Sequence, residues 1–232
     1  MVPLERLRMI AFIAAERREF RGFQRHLENI KKLSWPIDYA VSASLNGIPV
    51  VLAANGPGPQ LVKKVGRELK AGAYDMFVSI GFCGALSDRL KPGAVFIATS
   101  VNGRVIDAPR KSPAAARGPL LSIRDVVTTA EEKKKLRKTG AEVVEMEAGE
   151  VCCQARGVAR FSCVRVVTDT SVESFPLDFN QMRDEAGRFS RIRIAAEAVR
   201  HPFKLIPELV RLDRRCREAA VALGDFIANC QF

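Results

Sequence analysis

The order of apolar and polar positions along the chain predicts buried strands that alternate with helices. Continuous apolar runs are typical of strands that are buried on both faces of a sheet. The pair Asn46-Gly47 lies between two such runs and predicts a β-hairpin, because both residues tolerate positive φ. The predicted strands are 9–15, 39–45, 48–54, 74–80, 94–101, 120–127, 141–144 and 160–168.

Amphipathic or small-residue segments predict the helices. Thr129 is expected to cap one of them, and the cations at 133–138 suit the end of a helix because they complement its dipole. Glycine loops are predicted at 56–59 and 81–86, and residues 102–119, rich in Pro, Ala, Arg and Gly, predict a mobile surface connection. The predicted helices before the C-terminal part are 20–27, 60–70, 129–138 and 146–156.

This alternation predicts an α/β fold of three layers, α/β/α, around a central mixed, largely parallel twisted sheet. A length of 232 residues suits a single domain, 1–232. From Arg188 onward the chain has nine Lys or Arg and five Asp or Glu, and apolar stripes run over 192–199 and 206–227 at helical spacing. We therefore predict a basic helical C-terminal extension at about 187–232. Packing on the protein is the favoured place for it, with another protomer or anionic lipid as alternatives.

Charge and cysteine content narrow the function classes. A net charge of +11 is compatible with binding to nucleic acid, anionic lipid or a phosphorylated substrate, or with a basic surface that binds none of them. The lysine-rich run lacks interleaved aromatic residues for base stacking, so no nucleic-acid partner is predicted. The six cysteines form no CxxC pair and only two histidines occur, so no metal site is predicted. We expect a cytoplasmic protein, because the cysteines do not resemble a disulfide framework and no secretory signal precedes them. No apolar run approaches the roughly 20 residues that span a bilayer, so the protein is expected to be soluble or peripheral.

Carboxylates stand beside two of the predicted strands. The segment Val143–Ala148 places Glu145 and Glu147 on either side of Met146, and Asp169 ends a later apolar run. Because an unpaired buried charge is costly, acids at the ends of buried strands need a partner or a ligand. We expect these acids to face a sugar and a base rather than water.

The same segments resemble a known family. Residues 10–19, 56–58, 81–86, 144–148 and 167–169 occur in the order found in nucleoside phosphorylases and nucleosidases, and they resemble most the methylthioadenosine/S-adenosylhomocysteine nucleosidase branch. The Val-Glu-Met-Glu-Ala string and the strand-ending Thr-Asp are the most specific parts. The resemblance implies a nucleoside phosphorylase-like fold, cleavage of an N-glycosidic bond in a purine nucleoside, at least a homodimer, and no cofactor.

The resemblance also implies roles for single residues. Asp169 resembles the acid that protonates or hydrogen-bonds the departing purine at N7, and Glu19 the carboxylate that orients and deprotonates the attacking water. Glu147 resembles the group that accepts hydrogen bonds from both ribose hydroxyls, and Met146 the side chain that packs against the sugar. Further substrate contacts are expected from Gly56, Gly81, Phe82 and Thr168.

Water is the expected nucleophile, because residues 16–19 (Glu-Arg-Arg-Glu) stand where phosphorylases carry a glycine- and arginine-containing phosphate loop. Arg17 and Arg18 leave phosphorolysis open, with phosphate as co-substrate and ribose 1-phosphate as product. The tail beyond Ser171 resembles the hopanoid-associated phosphorylases, which implies release of adenine from adenosylhopane in hopanoid side-chain synthesis and peripheral contact with the inner face of the membrane. The alternative from another class is a non-catalytic nucleoside- or lipid-binding protein.

Overall fold

The computed structural model describes residues 9–232, so the first eight residues of the predicted domain lie outside the described residues. Strands and helices alternate along most of this part of the chain. The strands are β1 (Ile10–Ala14), β2 (Glu28–Lys32), β3 (Tyr39–Leu45), β4 (Ile48–Ala54), β5 (Met76–Ala85), β6 (Val95–Val101), β7 (Arg104–Val105), β8 (Ala116–Ser122), β9 (Val143–Glu145) and β10 (Arg160–Asp169). The α-helices are α1 (Pro59–Leu69), α2 (Ala130–Arg137), α3 (Ala148–Ala155), α4 (Arg191–Arg200) and α5 (Pro202–Ala228).

All ten strands belong to one mixed sheet. β1 lies in its middle and pairs in parallel with β4 and β5. From β4 the sheet continues through antiparallel β3 to the edge strand β2. On the other side β5 pairs in parallel with β10, and the pairs β10–β6, β6–β8, β8–β9 and β9–β5 close a ring of five strands. The carboxyl ends of β1, β5 and β10 therefore lie side by side.

Helices cover both faces of the sheet. Successive strand residues point to opposite faces, so Phe12 and Ile13 of β1 belong to two different apolar clusters. Phe12 shares its cluster with Leu223 of α5, and Ile13 shares the other with Val65 of α1 and Val151 of α3. The predicted three-layer α/β/α architecture is confirmed.

Three local predictions are wrong. The segment after β1 forms two 3₁₀ turns, Arg17–Phe20 and Phe23–His26, instead of one α-helix. The turns lie against α5 so closely that a Cβ on Gly22 would be 2.5 Å from the Ala220 carbonyl oxygen, and this packing overrides the helical spacing of the apolar residues. The predicted glycine loop at 81–86 is mostly strand, because β10 pairs with β5 as far as Gly84. The predicted mobile connection at 102–119 contains β7 and the start of β8, both hydrogen-bonded to β6.

The C-terminal part forms α4 and α5. The second half of α5 covers one face of the sheet, where Leu223 and Ile227 are fully buried. α4 differs from the expected packing, because its apolar stripe at 192–199 faces outward, with Ile192 83% and Val199 76% exposed. Within residues 9–232, no helix combines the length and the apolar character that crossing a membrane requires.

Candidate active site

A cavity of about 370 Å³ lies at the carboxyl ends of β1, β5 and β10. Ligands of open α/β sheets bind at this edge. Six of the eight predicted site residues line the cavity, namely Glu19, Phe82, Met146, Glu147, Thr168 and Asp169. We call the part formed by Glu19, Glu147, Thr168 and Asp169 the polar wall. We call the part formed by Phe175, Phe179, Phe189, Ile194, Leu209 and Leu212 the apolar wall.

Glu19 lies directly after β1 and is buried, with 5% of its surface exposed. Its Oε2 accepts hydrogen bonds from the backbone N–H groups of Ala15 (2.8 Å) and Glu16 (3.2 Å), which fix the carboxylate at the strand end. Burial and the nearby charge of Glu16 raise the pKa of Glu19 to about 7. A carboxyl group with this pKa can accept a proton at neutral pH.

Glu147 is the N-cap residue of α3 and lines the cavity. Its Oε1 accepts a hydrogen bond of 2.7 Å from the backbone N–H of Gly58, at the start of α1. Burial and the charges of Glu145 and Glu19 raise the pKa of Glu147 above its ordinary value. Met146 lies beside Glu147 in the cavity lining, with its Sδ 3.7 Å from Arg183 Nη2.

Glu145 and Arg165 form a buried ion pair behind the polar wall. Arg165 Nη2 lies 2.5 Å from Glu145 Oε2 and also donates to Ser79 Oγ at 2.8 Å. The same carboxylate accepts hydrogen bonds from the backbone N–H groups of Glu147 and Ala148, at 3.0 and 2.9 Å. Glu145 therefore anchors the first turn of α3 and holds Glu147 in position.

Asp169 ends β10 and is 5% exposed. Its Oδ2 accepts a hydrogen bond from Lys133 Nζ at 2.5 Å, and its Oδ1 accepts one from Thr168 Oγ1 at 2.9 Å. Burial raises the pKa of Asp169 above its ordinary value, while the ammonium group of Lys133 opposes this rise. Asp169 thus combines a raised pKa with a neighbour that stabilises its charged form.

Two glycines in β5 make room for two of the carboxylates. A Cβ on Gly81, where φ is +149°, would lie 3.0 Å from Glu19 Oε2. A Cβ on Gly84 would lie 2.8 Å from Asp169 Oδ2. Gly81 does not line the cavity itself, so its contribution is the space that it leaves for Glu19.

Gly56 also lies outside the cavity lining. Its N–H donates to the Ala15 carbonyl oxygen at 2.7 Å, which joins the segment after β4 to the end of β1. A Cβ there would be 2.7 Å from Leu61 Cδ1, and φ is +105°, so glycine suits this position on both counts. The structure therefore places Gly56 as a support of the strand end rather than as a lining residue.

The apolar wall comes from α4, α5 and the segment before them. Phe175 and Phe179 pack edge to face with ring centroids 5.5 Å apart, and Phe179 and Phe189 do so at 6.0 Å. Asn180 fixes this segment to Val126, which also lines the cavity. Its side chain donates to the Val126 carbonyl at 2.9 Å and accepts from the Val126 N–H at 2.8 Å. These two hydrogen bonds hold the segment before α4 in place.

Sequence reasoning missed Lys133 and Arg165. Lys133 is 1% exposed, and besides Asp169 its Nζ donates to the carbonyl oxygens of Thr170 (2.7 Å) and Glu173 (3.0 Å). The prediction that it complements a helix C-terminus is wrong for this residue, since it is the fourth residue of α2. The position of Lys133 in the first half of the predicted helix could have indicated another role, because a cation there is not stabilised by the helix dipole. The signal for Arg165 was a charge inside an apolar run.

Neither a thiol nucleophile nor a metal site is indicated among the described residues around the cavity. Cys83 is buried, and burial raises the pKa of its thiol well above the ordinary value, so no thiolate nucleophile is expected. In the described part of the chain, no group of three or more His, Cys, Asp or Glu side chains is placed to hold a metal ion. The chemistry of the cavity therefore rests on its carboxylates and on Lys133.

Neither a protein-family model nor a curated protein matches the sequence. Solved structures do match the fold. The 5′-methylthioadenosine/S-adenosylhomocysteine nucleosidase from Neisseria meningitidis, in complex with methylthio-immucillin-A, has a TM-score of 0.69 and 21% identity over 96% of this chain and 98% of its own. The corresponding S. pneumoniae enzyme, with a transition-state inhibitor, has a TM-score of 0.71 and 14% identity over 95% and 97%.

Futalosine hydrolase of Helicobacter pylori is also similar, with a TM-score of 0.70 and 14% identity over 96% of this chain and 97% of its own. The likeness extends over nearly the whole length of all three structures. At these identities it concerns the fold, which agrees with the nucleoside phosphorylase-like fold that the sequence motifs implied. The chain therefore shares its fold with these nucleosidases and with futalosine hydrolase.

Proposed function

We propose that the protein is an N-ribosyl hydrolase that cleaves the N-glycosidic bond of a purine nucleoside. The observation that carries the proposal is the convergence of three carboxyl groups with raised pKa, those of Glu19, Glu147 and Asp169, on one cavity. Perturbed carboxyl groups in a cleft are typical of acid–base sites. The nucleosidases with the same fold, two of them bound to inhibitors, support this choice.

In the proposed reaction the bond from C1′ to the purine breaks, and its electron pair goes to the base. Asp169 donates a proton to N7 of the departing purine, which neutralises the charge that develops there. Burial raises the pKa of Asp169 and so favours its protonated form before the transfer, and Lys133, 2.5 Å away, stabilises the carboxylate that remains afterwards. Lys133 therefore acts as a positioning residue that makes Asp169 a stronger acid.

On the other side of the sugar, Glu19 accepts a proton from water as the water oxygen bonds to C1′. The products are the free purine and a ribose with a hydroxyl group at C1′. Glu147 accepts hydrogen bonds from the ribose hydroxyls, and Met146 packs against the ring. These roles divide the work as in other glycoside hydrolyses, where separate carboxyl groups serve the leaving group and the nucleophile.

Hydrolysis is favoured over phosphorolysis by the surroundings of the arginines. Arg18 lines the cavity, but its Nε lies 2.5 Å from Glu16 Oε2 and its guanidinium lies over the Phe82 ring at 5.9 Å. Arg17 lies over the Tyr39 ring at 5.3 Å. A bound phosphate would have to compete with Glu16 for Arg18 and would meet the charge of Glu19. Water needs neither arginine.

The apolar wall supports a substrate with a bulky apolar group at the 5′ position. Six apolar side chains, three of them phenylalanines, line this part of the cavity. Each such contact excludes water from an apolar ligand and contributes binding free energy. Adenosylhopane, with adenine as the released base, is the substrate that we propose within this class, as the resemblance of the tail implied.

Product analysis by mass spectrometry tests the proposal. Methylthioadenosine, inosine and adenosylhopane are each incubated with the protein in phosphate-free and phosphate-containing buffer. We expect free base and a 1-hydroxy sugar from the adenine nucleosides in both buffers, and the fastest release from adenosylhopane. Strict dependence on phosphate would show phosphorolysis instead. Binding of the nucleosides without any base release would support the non-catalytic alternative.

A further inference from the structure

The outside of the C-terminal helices carries a concentration of exposed apolar side chains. Of the ten large apolar residues that are exposed among residues 9–232, five lie within 19 positions on α4 and the first part of α5. We call these five residues the outer face. They are Ile192 (83% exposed), Val199 (76%), Phe203 (97%), Ile206 (47%) and Val210 (64%).

The outer face is opposite the side on which the two helices pack on the protein. Ala198 of α4 and Leu205 of α5 belong to a small buried cluster with Leu177. Residues at i, i+3 and i+7 share one side of a helix, so Phe203, Ile206 and Val210 form a stripe. That stripe is turned away from Leu205. An amphipathic helix normally buries such a stripe, and here it meets solvent.

Cations without an acidic partner lie on the same two helices as the outer face. Residues 191–211 contain five Lys or Arg and two Glu. Both glutamates are paired within the helices, Glu197 with Arg200 at 3.1 Å and Glu208 with Arg211. Over the described range 9–232, Arg191, Arg193 and Lys204 form no ion pair with an acid. Arg191 also lines the cavity, and Arg193 Nη1 donates to the Arg183 carbonyl oxygen at 2.6 Å.

We propose that the outer face docks the protein on an anionic lipid membrane. Apolar side chains flanked by cations are the composition that inserts at the interface of an anionic bilayer. A second copy of this chain fits less well, because isologous contact would bring the unpaired cations of both copies together. This surface is separate from the polar wall, so the inference does not depend on the proposed activity.

The outer face and the apolar wall of the cavity lie on opposite sides of the same two helices. The same two helices supply Ile194, Leu209 and Leu212 to the apolar wall from their inner sides. Membrane contact on the outside of α4 and α5 would therefore place the apolar wall about one helix diameter, roughly 10 Å, from the lipid. An apolar ligand could pass between bilayer and cavity with little exposure to water.

Flotation with vesicles tests the proposal. The full-length protein is mixed with vesicles of phosphatidylcholine alone or of phosphatidylcholine with phosphatidylglycerol, and the bound fraction is measured at low and high salt. We expect binding to the anionic vesicles only, and weaker binding at high salt. The variant Ile192→Ser/Val199→Ser/Phe203→Ser should lower the affinity by at least about tenfold, because three inserting side chains are lost.

The variant Val105→Ser/Val158→Ser is the matched control, since both valines are exposed (82% and 50%) and lie away from α4 and α5. It should bind like the wild type. Thermal unfolding should be similar for all three proteins, because no core residue changes. Equal flotation of the triple variant and the wild type, or no flotation of the wild type, overturns the proposal. A wild-type dimer that the triple variant converts to monomer also overturns it and assigns the outer face to a second copy.

Discussion

The polar wall and the apolar wall of the cavity are built by different kinds of structure. Glu19 and Asp169 lie at the ends of β1 and β10, and backbone or side-chain hydrogen bonds hold both carboxylates. The apolar wall comes from α4, α5 and the segment before them, and α4 has its own apolar stripe in solvent. The strand ends hold the carboxylates of the polar wall at fixed positions in the sheet. The apolar wall, in contrast, is supplied by α4, α5 and the segment before them, which lie outside the sheet. Under the proposed function, this comparison assigns the chemistry and the choice of substrate to separate parts of the molecule.

Glu19→Gln tests the polar wall most strongly. The substitution keeps an acceptor for the backbone N–H groups but removes the base, so kcat should fall about a thousandfold, within the range of general acid–base effects. The wild-type kcat/KM should rise with pH through about 7, the pKa of Glu19. Glu16→Gln is the matched control. It should keep its activity and show this rise at lower pH, because the charge of Glu16 raises the pKa of Glu19.

The raised pKa of Glu19 also predicts how the stability of the protein depends on pH. Folding raises the pKa of Glu19 from 4.5 to about 7, so the folded state binds an extra proton between these values. The associated stability is present below pH 4.5 and is lost as pH rises through 7. Glu19→Gln should therefore exceed the wild type in free energy of unfolding above pH 7, by roughly 1–3 kcal/mol. Urea denaturation at pH 5 and 8 measures this, and an equal difference at both pH values would contradict the assignment.

Lys133→Met should have the next largest effect. Loss of the ammonium group raises the pKa of Asp169 further and makes it a weaker acid, so kcat should fall roughly 10- to 100-fold. The falling limb of the pH–rate profile should move to higher pH. Lys134→Met changes an exposed neighbour on the same helix and should leave both quantities as in the wild type. A loss of kcat without movement of the profile would indicate a merely structural role for Lys133.

Glu147→Gln separates sugar recognition from the acid–base steps. The hydrogen bond from the 2′-hydroxyl to the Glu147 carboxyl group is made only with ribosides, so kcat/KM for a riboside should fall about tenfold more than for its 2′-deoxy analogue. Steady-state kinetics on the two substrates provides the comparison. An equal loss on both would show that Glu147 does not contact that hydroxyl.

Phe189→Ala tests the apolar wall and should have the smallest effect. Removal of the ring should raise KM about five- to tenfold for a nucleoside with a large apolar 5′ group, through lost apolar contact. The value of kcat, and the kinetics with adenosine, should stay unchanged. Phe203→Ala, on the outer face and outside the cavity lining, is the matched control. A fall in kcat with adenosine would show that the two walls are not separate in function.

Much of the sheet could be predicted from sequence, because strands buried on both faces leave continuous apolar runs. Glu19, Glu147 and Asp169 could be selected because each lies next to such a run within a recognisable motif. The continuation of β5 beyond Gly81 could not be predicted, because glycine is typical of turns and only the pairing with β10 shows that the strand continues. The partner of Lys133 lies 36 positions away, so no local pattern shows the pair.

The orientation of α4 could not be predicted from the sequence either. Its stripe at Ile192 and Val199 has the spacing of a buried face, and spacing alone does not tell whether the burying surface is the same chain or something outside it. In contrast, the second half of α5 has the same kind of stripe and is buried on the sheet. The difference follows from tertiary placement, because α5 lies on the sheet whereas α4 packs against α5.

Asp169→Asn, measured for both turnover and binding, tests the central claim most directly. Asparagine keeps the size of the side chain but has no acidic proton, so base release from the preferred adenine nucleoside should fall about a thousandfold. The dissociation constant for the same nucleoside, measured by calorimetry, should stay within about threefold, because catalysis depends on interactions made in the transition state. Turnover within tenfold of the wild type would contradict the assignment of Asp169 as the acid and, with it, this account of the polar wall.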